Sequence, residues 1–180
     1  MDHFENIVKT LLEHNGYWVR QSFKVNLTKD EKRNINKPSI PRPEIDLLAY
    51  RPTENEIIAI EVKSFFNSPG VKIADIKLEH AYPEGRYKLF TCKKYRDIVL
   101  DRLRMDLKKS GMIHGEETLR LGLAAGNIYQ SKSCEFRAYF DERNWFFWSP
   151  EDIKSEVMKL ATHGYENDPA IITAKILNKL

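Results

Sequence analysis

The sequence predicts an α/β fold in which helices cover a mixed β-sheet, and three observations carry that prediction. Residues 3–15 place Phe4, Ile7, Val8, Leu11 and Leu12 at helical spacing, so a first helix has one apolar stripe. Residues 44–50 and 56–64 are dense in Ile, Val, Leu and Ala and are joined by the short connection "RPTEN", which suits a pair of strands. "WSPEDIKSEVMKLATHG" offers Ser149 as N-cap, Pro150 at the first helical position and Glu151 and Asp152 in the first turn, a full set of helix-start signals.

The other elements follow in chain order. Gly16 stands where the first helix should end. "YWVRQSFKV" reads as a strand of aromatic and β-branched residues, followed by a polar, Pro-containing loop through Pro43. The stretch 66–85 is punctuated by Pro and Gly and has room for a short helix near 71–81. Tyr95, Ile98, Val99, Leu103 and Leu107 mark a long amphipathic helix over about 92–110, closed near Gly111. "TLRLGLAAGNI" and "CEFRAYF" read as later strands, and a last helix covers 168–179. Helix, three strands, helix, strand and then a C-terminal α/β extension over 126–180 make one domain spanning 1–180.

Composition narrows the functional classes. A chain of 180 residues with 42% hydrophobic content can bury one core of its own. No 18-residue apolar run occurs, and acids stand in "MDHFENIVKTLLEHNG" where a signal peptide carries only bases. A soluble, cytoplasmic protein without a membrane partner is therefore expected. Cys92 and Cys134 lack CxxC or CxxH partners and are expected to be reduced packing residues. The five histidines form no HExxH pair, no GxSxG elbow is present, and "GLAAGNI" is not a phosphate-binding loop. Trp145 and Trp148 in "NWFFW" are expected to be core or interface aromatics.

A net charge of +3 says little by itself, but its distribution is uneven. Residues 28–43 hold five basic residues against two acids, residues 86–109 nine against three, and residues 112–180 eight against ten.

The chemistry concentrates in "PEIDLLAYRPTENEIIAIEVKSF", residues 43–65. Side chains two apart on a strand share a face, so Glu44 pairs with Asp46 and Glu61 with Lys63. Paired strands can bring those faces together, and converging carboxylates repel unless protonated or bridged by a cation. Hard oxygen ligands suit Mg²⁺ or Mn²⁺, and a neighbouring lysine can orient or help deprotonate a water. Acid-x-Lys triplets also occur at Asp30–Lys32, Asp75–Lys77, Asp106–Lys108 and Asp152–Lys154. Only Glu61–Lys63 lies in an apolar strand, 15 residues after another acid in an apolar strand. A catalytic site and a half-exposed sheet with cross-strand salt bridges both fit these residues.

"PEIDLL" followed by "IAIEVKSF" resembles the PD-(D/E)xK nuclease superfamily, in its restriction-endonuclease-like and Holliday-junction-resolvase-like branches. The resemblance covers about residues 3–125 and implies an αβββαβ restriction-endonuclease-like core. It also implies Asp46 and Glu61 as metal ligands for Mg²⁺ or Mn²⁺, with Lys63 positioning or activating the attacking water. Glu5 in the first helix precedes Gly16–Tyr17 by eleven residues, the spacing of a supporting helix glutamate in those branches. At about 100° per residue Glu5 borders the apolar stripe beside Leu12, whereas Glu13 points away. Pro43 precedes Glu44 rather than Asp46. Asp46 is taken as the ligand because it lies inside the strand, with Glu44 and Ser64 as outer-shell groups.

The implied activity is metal-dependent hydrolysis of phosphodiester bonds, as a DNA endonuclease. The alternative is a non-catalytic nucleic-acid-binding or protein-interaction module that keeps the nuclease fold. Nucleic acid would meet Lys29, Lys32, Arg33, Lys37 and Arg42 on the first basic segment and Lys93, Lys94, Arg96, Arg104 and Lys108 on the second, through phosphates rather than bases. Cutting of junctions or duplexes would imply a homodimer.

Overall fold

In a computed structural model, residues 2–164 and 166–179 are described. Helix α1 (His3–His14) starts on Asp2, whose carboxylate accepts the Phe4 N–H, and ends at Asn15 and Gly16, the latter at φ +84°. Strand β1 (Trp18–Lys24) follows, then α2 (Lys29–Asn34), β2 (Glu44–Arg51) and β3 (Glu56–Lys63). The single-turn helices α3 (Ile73–Ile76) and α4 (Lys88–Thr91) precede α5 (Lys93–Lys109) and β4 (Thr118–Ala125). The chain closes with α6 (Ser133–Asp141), β5 (Phe146–Trp148), α7 (Pro150–Leu160) and α8 (Pro169–Leu177).

The five strands lie in the sheet in sequence order, β1 to β5. β1, β2 and β3 pair antiparallel, whereas β4 joins β3 in parallel and β5 joins β4 in parallel. The sheet is mixed because the β2–β3 connection is a tight turn over Pro52–Glu54 with Asn55 left-handed, while α5 carries the chain back before β4. One face packs under α1, α7 and α8 through Val8, Leu11, Leu12, Ile153, Leu160 and Ile171. The opposite face packs under α5 and α6 through Tyr95, Val99, Leu103, Leu107, Phe136 and Phe140. Among the described residues, no helix is long and apolar enough to cross a membrane.

Three expectations change. "CEFRAYF" is not a strand but lies within α6. Its apolar residues alternate, but only Phe136 and Phe140, four apart, are buried, while Cys134 and Ala138 are exposed. Packing therefore selects the helical period. Cys134 is accordingly a surface thiol, whereas Cys92 is buried as expected. The loop expected after β1 contains α2, because Thr28 and Glu31 form a reciprocal capping box. Arg102 of α5 then clamps Glu31 through contacts of 2.6–3.1 Å. In "NWFFW", Trp145 packs edge-on to Phe90 and Phe140, and Trp148 lies against Phe146. Three residues of that segment form β5, too short a strand for alternation to reveal.

Candidate active site

The regular alternation of β1 and β2 breaks at one place. In β2, Ile45 belongs to the core under α5, yet Leu47 and Ala49 belong to the core under α1. In β1, Val19 packs toward the α1 side and Phe23 toward the α5 side. Between them stands Ser22 at φ +51°, which the ladder skips, together with Asp46, between the Gln21–Leu47 and Phe23–Ile45 pairs. A left-handed residue inside a strand rotates the chain and reverses which face later side chains meet. Asp46 and Glu44 nevertheless line one cleft, as their spacing predicts, and the change of side in β2 falls between Ile45 and Leu47.

The β2–β3 ladder stops at the same point. It runs from Arg51–Glu56 to Leu47–Ile60, and one further step would oppose Asp46 to Glu61. Instead, the Asp46 carboxylate accepts the Val62 N–H at 2.8 Å. Lys63 Nζ then lies 3.1 Å from Asp46 Oδ2, 3.0 Å from Glu61 Oε2 and 3.0 Å from the Val62 carbonyl oxygen. Three oxygens from two strands thus converge on one cation. The three side chains are 15–20% exposed, so their charges act with little screening by water.

Burial raises the Glu61 carboxyl above the ordinary glutamate range, and Asp46 adds to the rise against the opposing pull of Lys63 and Lys88. Burial alone would lower the Lys63 ammonium, but Glu61 and Asp46 outweigh it and hold the pKa above the usual lysine value. Glu5 reaches the cluster from α1. Its carboxyl is raised first by burial and then by the negative charge of Asp46, with Lys63 pulling the other way. Glu13, as expected, is exposed and pairs with Lys9 at 3.6 Å.

A cleft of about 220 Å³ opens over Asp46 and Glu61. Glu44 lines it and also lies 3.8 Å from Lys24. Tyr95 forms part of its floor, its phenol pushed up to about 12 by burial and by Glu61. Arg42, Arg86 and Lys88 also line it. None of those three has a carboxylate within ion-pairing distance among the described residues. Ser64 is half-buried in the turn after β3, with its carbonyl oxygen turned toward Gly126.

Of the cations nominated from sequence, Arg42 alone lines this cleft. Arg96 donates to the Leu89 and Phe90 carbonyls, both at 3.1 Å, and Arg104 to those of Gly115 and Glu117. Those two guanidiniums hold loop and helix-end carbonyls. Lys93 pairs with Asp97 at 2.5 Å and Arg33 with Asp30 at 3.1 Å. Lys29, Lys94 and Lys108 are exposed and Lys32 and Lys37 half-buried, all outside the cleft lining. Sequence reasoning counted Arg86 and Lys88 within a basic segment but did not single them out. Their position just after the Pro- and Gly-rich stretch, beside the acids' strand, was the available signal.

No group of three His, Cys, Asp or Glu side chains with metal-site geometry is present among the described residues. The donor set is instead two carboxylates and one backbone carbonyl around Lys63 Nζ. Such a set fits Mg²⁺ or Mn²⁺, since Mg²⁺ is commonly held by one or two carboxylates and completed by water and phosphate oxygens. Compared with known proteins, the chain matches no family model, no curated protein and no solved structure.

Proposed function

We propose that the chain is a divalent-metal-dependent nuclease with a restriction-endonuclease-like core, hydrolysing phosphodiester bonds in DNA. One observation carries this reading. Asp46, Glu61 and the Val62 carbonyl converge on a single cation position, in a cleft lined by Arg42, Arg86 and Lys88, none of which is ion-paired among the described residues. An acidic centre beside guanidinium and ammonium groups that no carboxylate neutralises among the described residues suits a ligand that brings its own negative charge together with a hard cation.

Asp46, Glu61 and the Val62 carbonyl would hold Mg²⁺ or Mn²⁺. When bound, the ion supplies Lewis-acid charge at the phosphate and lowers the pKa of water. Lys63, an ammonium paired with both carboxylates, would stay within reach of water and phosphate held at that position. It is thus a hydrogen-bond donor that orients the attacking water or offsets charge developing on the phosphate. Arg42, Arg86 and Lys88 position the flanking phosphates without reading sequence. Glu5 adds negative charge behind the site and strengthens its hold on a cation.

The alternative is a non-catalytic module, and one observation favours it. Lys63 already bridges both carboxylates, so the cluster is neutralised in part without any metal. A cleavage panel of branched, linear and single-stranded substrates with Mg²⁺ and Mn²⁺ decides between them. The nuclease cuts at least one substrate and loses all cutting in EDTA. Metal binding without cutting of any substrate establishes the module.

A further inference from the structure

A second cavity, of about 420 Å³, adjoins the acid cleft, and Arg86 lines both. Resting on the nuclease reading, we propose that this cavity receives an unpaired nucleobase beside the scissile phosphate. The preferred substrate then carries a single-stranded or unpaired nucleotide next to the cut.

The walls have the chemistry of a base site. Phe65 and the largely buried Tyr87 are among the lining residues, and the Arg86 guanidinium stands 5.4 Å from the centre of the Phe65 ring. Aromatic and guanidinium surfaces stack on bases, whatever the base. Ser68, Asp75 and His80 also line the cavity and offer donors and acceptors to a base edge. The volume falls in the lower part of the range for small-ligand sites, about 300–1,000 Å³. Phe65 is two residues beyond Lys63, so a base seated here belongs to a nucleotide adjoining the reacting phosphate.

The cavity is also preorganised. Phe65 has φ +48°, a strained conformation for an aromatic residue that persists only where its surroundings impose it. Asn127 Nδ2 donates to the Phe65 and Ser68 carbonyls at 3.2 and 2.9 Å. Val71 bridges to Ile128, and Gly70, at φ +93°, lets the loop lie directly on the Asn127–Ile128 backbone. A base inside a continuous duplex enters only after unstacking and unpairing, a cost that is least where the nucleotide is already unpaired.

The test uses the full chain in EDTA, where no cleavage occurs, with labelled DNAs of three kinds. These are a continuous duplex, the same duplex with a single-stranded arm, and the armed duplex with abasic arm nucleotides. The armed duplex should bind about tenfold more tightly than either of the others, in keeping with the stacking of a base on an aromatic platform. Phe65→Leu keeps apolar bulk but removes the stacking face and should erase that preference, whereas Phe65→Trp should keep it. Equal affinity for the three DNAs, or a preference that survives Phe65→Leu, overturns the base pocket and leaves the nuclease reading standing. Failure to bind any of the three overturns the base pocket, while the nuclease reading stands or falls on the cleavage panel with Mg²⁺ and Mn²⁺.

Discussion

The Asp46 carboxylate accepts the Val62 N–H at 2.8 Å, taking the place of a strand carbonyl in the β2–β3 ladder. This aspartate is at once a structural acceptor and a candidate metal ligand, and substitutions separate the two roles. Asp46→Asn keeps an oxygen acceptor and should leave stability within about 1 kcal/mol of wild type, while Mg²⁺ affinity and cleavage fall together. Asp46→Ala leaves the Val62 N–H without its partner and should cost about 1–3 kcal/mol in addition. Urea unfolding beside calorimetric metal binding measures both. Equal stability losses in the two variants would remove the structural role.

Lys63 separates a working site from a metal-binding relic. Lys63→Ala leaves all three oxygens in place and removes the competing ammonium, so divalent metal should bind as tightly as in wild type or more tightly. Single-turnover cleavage should nevertheless drop by roughly 10²–10⁴-fold, the usual worth of a positioned proton-transfer or water-orienting group. Cleavage by Lys63→Ala at the wild-type rate would rule out this role.

The raised carboxyl of Glu61 gives metal binding a pH dependence of known sign. Its folded pKa exceeds the unfolded value, so the native state without metal holds an extra proton in the window between the unfolded and the raised folded pKa. Its contribution to stability is therefore present below that window and lost as pH rises through it. Metal binding requires the ionised carboxylate and should release a proton there, with affinity rising with pH. Calorimetry in buffers of different ionisation enthalpy counts that proton, and Glu61→Gln should abolish its release. A wild-type chain that releases no proton in this window contradicts the assignment of Glu61 as ligand.

Gly126 reaches the site from the end of β4. A Cβ there would stand 2.7 Å from the Ser64 carbonyl oxygen and 3.0 Å from both the Phe4 and Phe66 rings. The Gly126 N–H meanwhile donates to the Lys63 carbonyl at 2.8 Å. Gly126→Ala must shift the turn that carries Lys63, which should cost about 1–3 kcal/mol. Cleavage should fall more than stability does, though no functional side chain changes. Unfolding and cleavage curves on one preparation check this, and an unchanged cleavage rate would show that the turn moves without carrying Lys63.

Much of the scaffold was legible because local rules and tertiary packing agree. The stripe of α1, the apolar β2 and β3 and the Ser149–Asp152 capping box of α7 each state one structure. Asp46, Glu61 and Lys63 were legible because a short hairpin leaves few ways to arrange them, and Glu5 because helix phase is regular. The strand break was hidden, since a left-handed Ser22 is a backbone choice that no composition signals. Counting charge also misjudged Arg96 and Arg104, whose partners are carbonyls and therefore contribute nothing to a tally of acids and bases. α6 was misread because two phenylalanines four apart, set among alternating residues, satisfy both periods until packing chooses.

Strands that lie side by side in the order in which they are synthesised also govern when the site can assemble. The β2–β3 pairing closes a turn of 4 residues and β1–β2 a connection of 19, whereas β4 must wait for the 54-residue crossover through α5 to return the chain. Loop-closure entropy favours the local pairings first. Both acids and the lysine therefore belong to the early-closing part of the chain, and the later strands bring the Gly126 buttress to a cluster already formed. Pulsed hydrogen exchange during refolding should show protection at residues 47–60 before 118–125. The reverse order would mean that the parallel half of the sheet nucleates the fold.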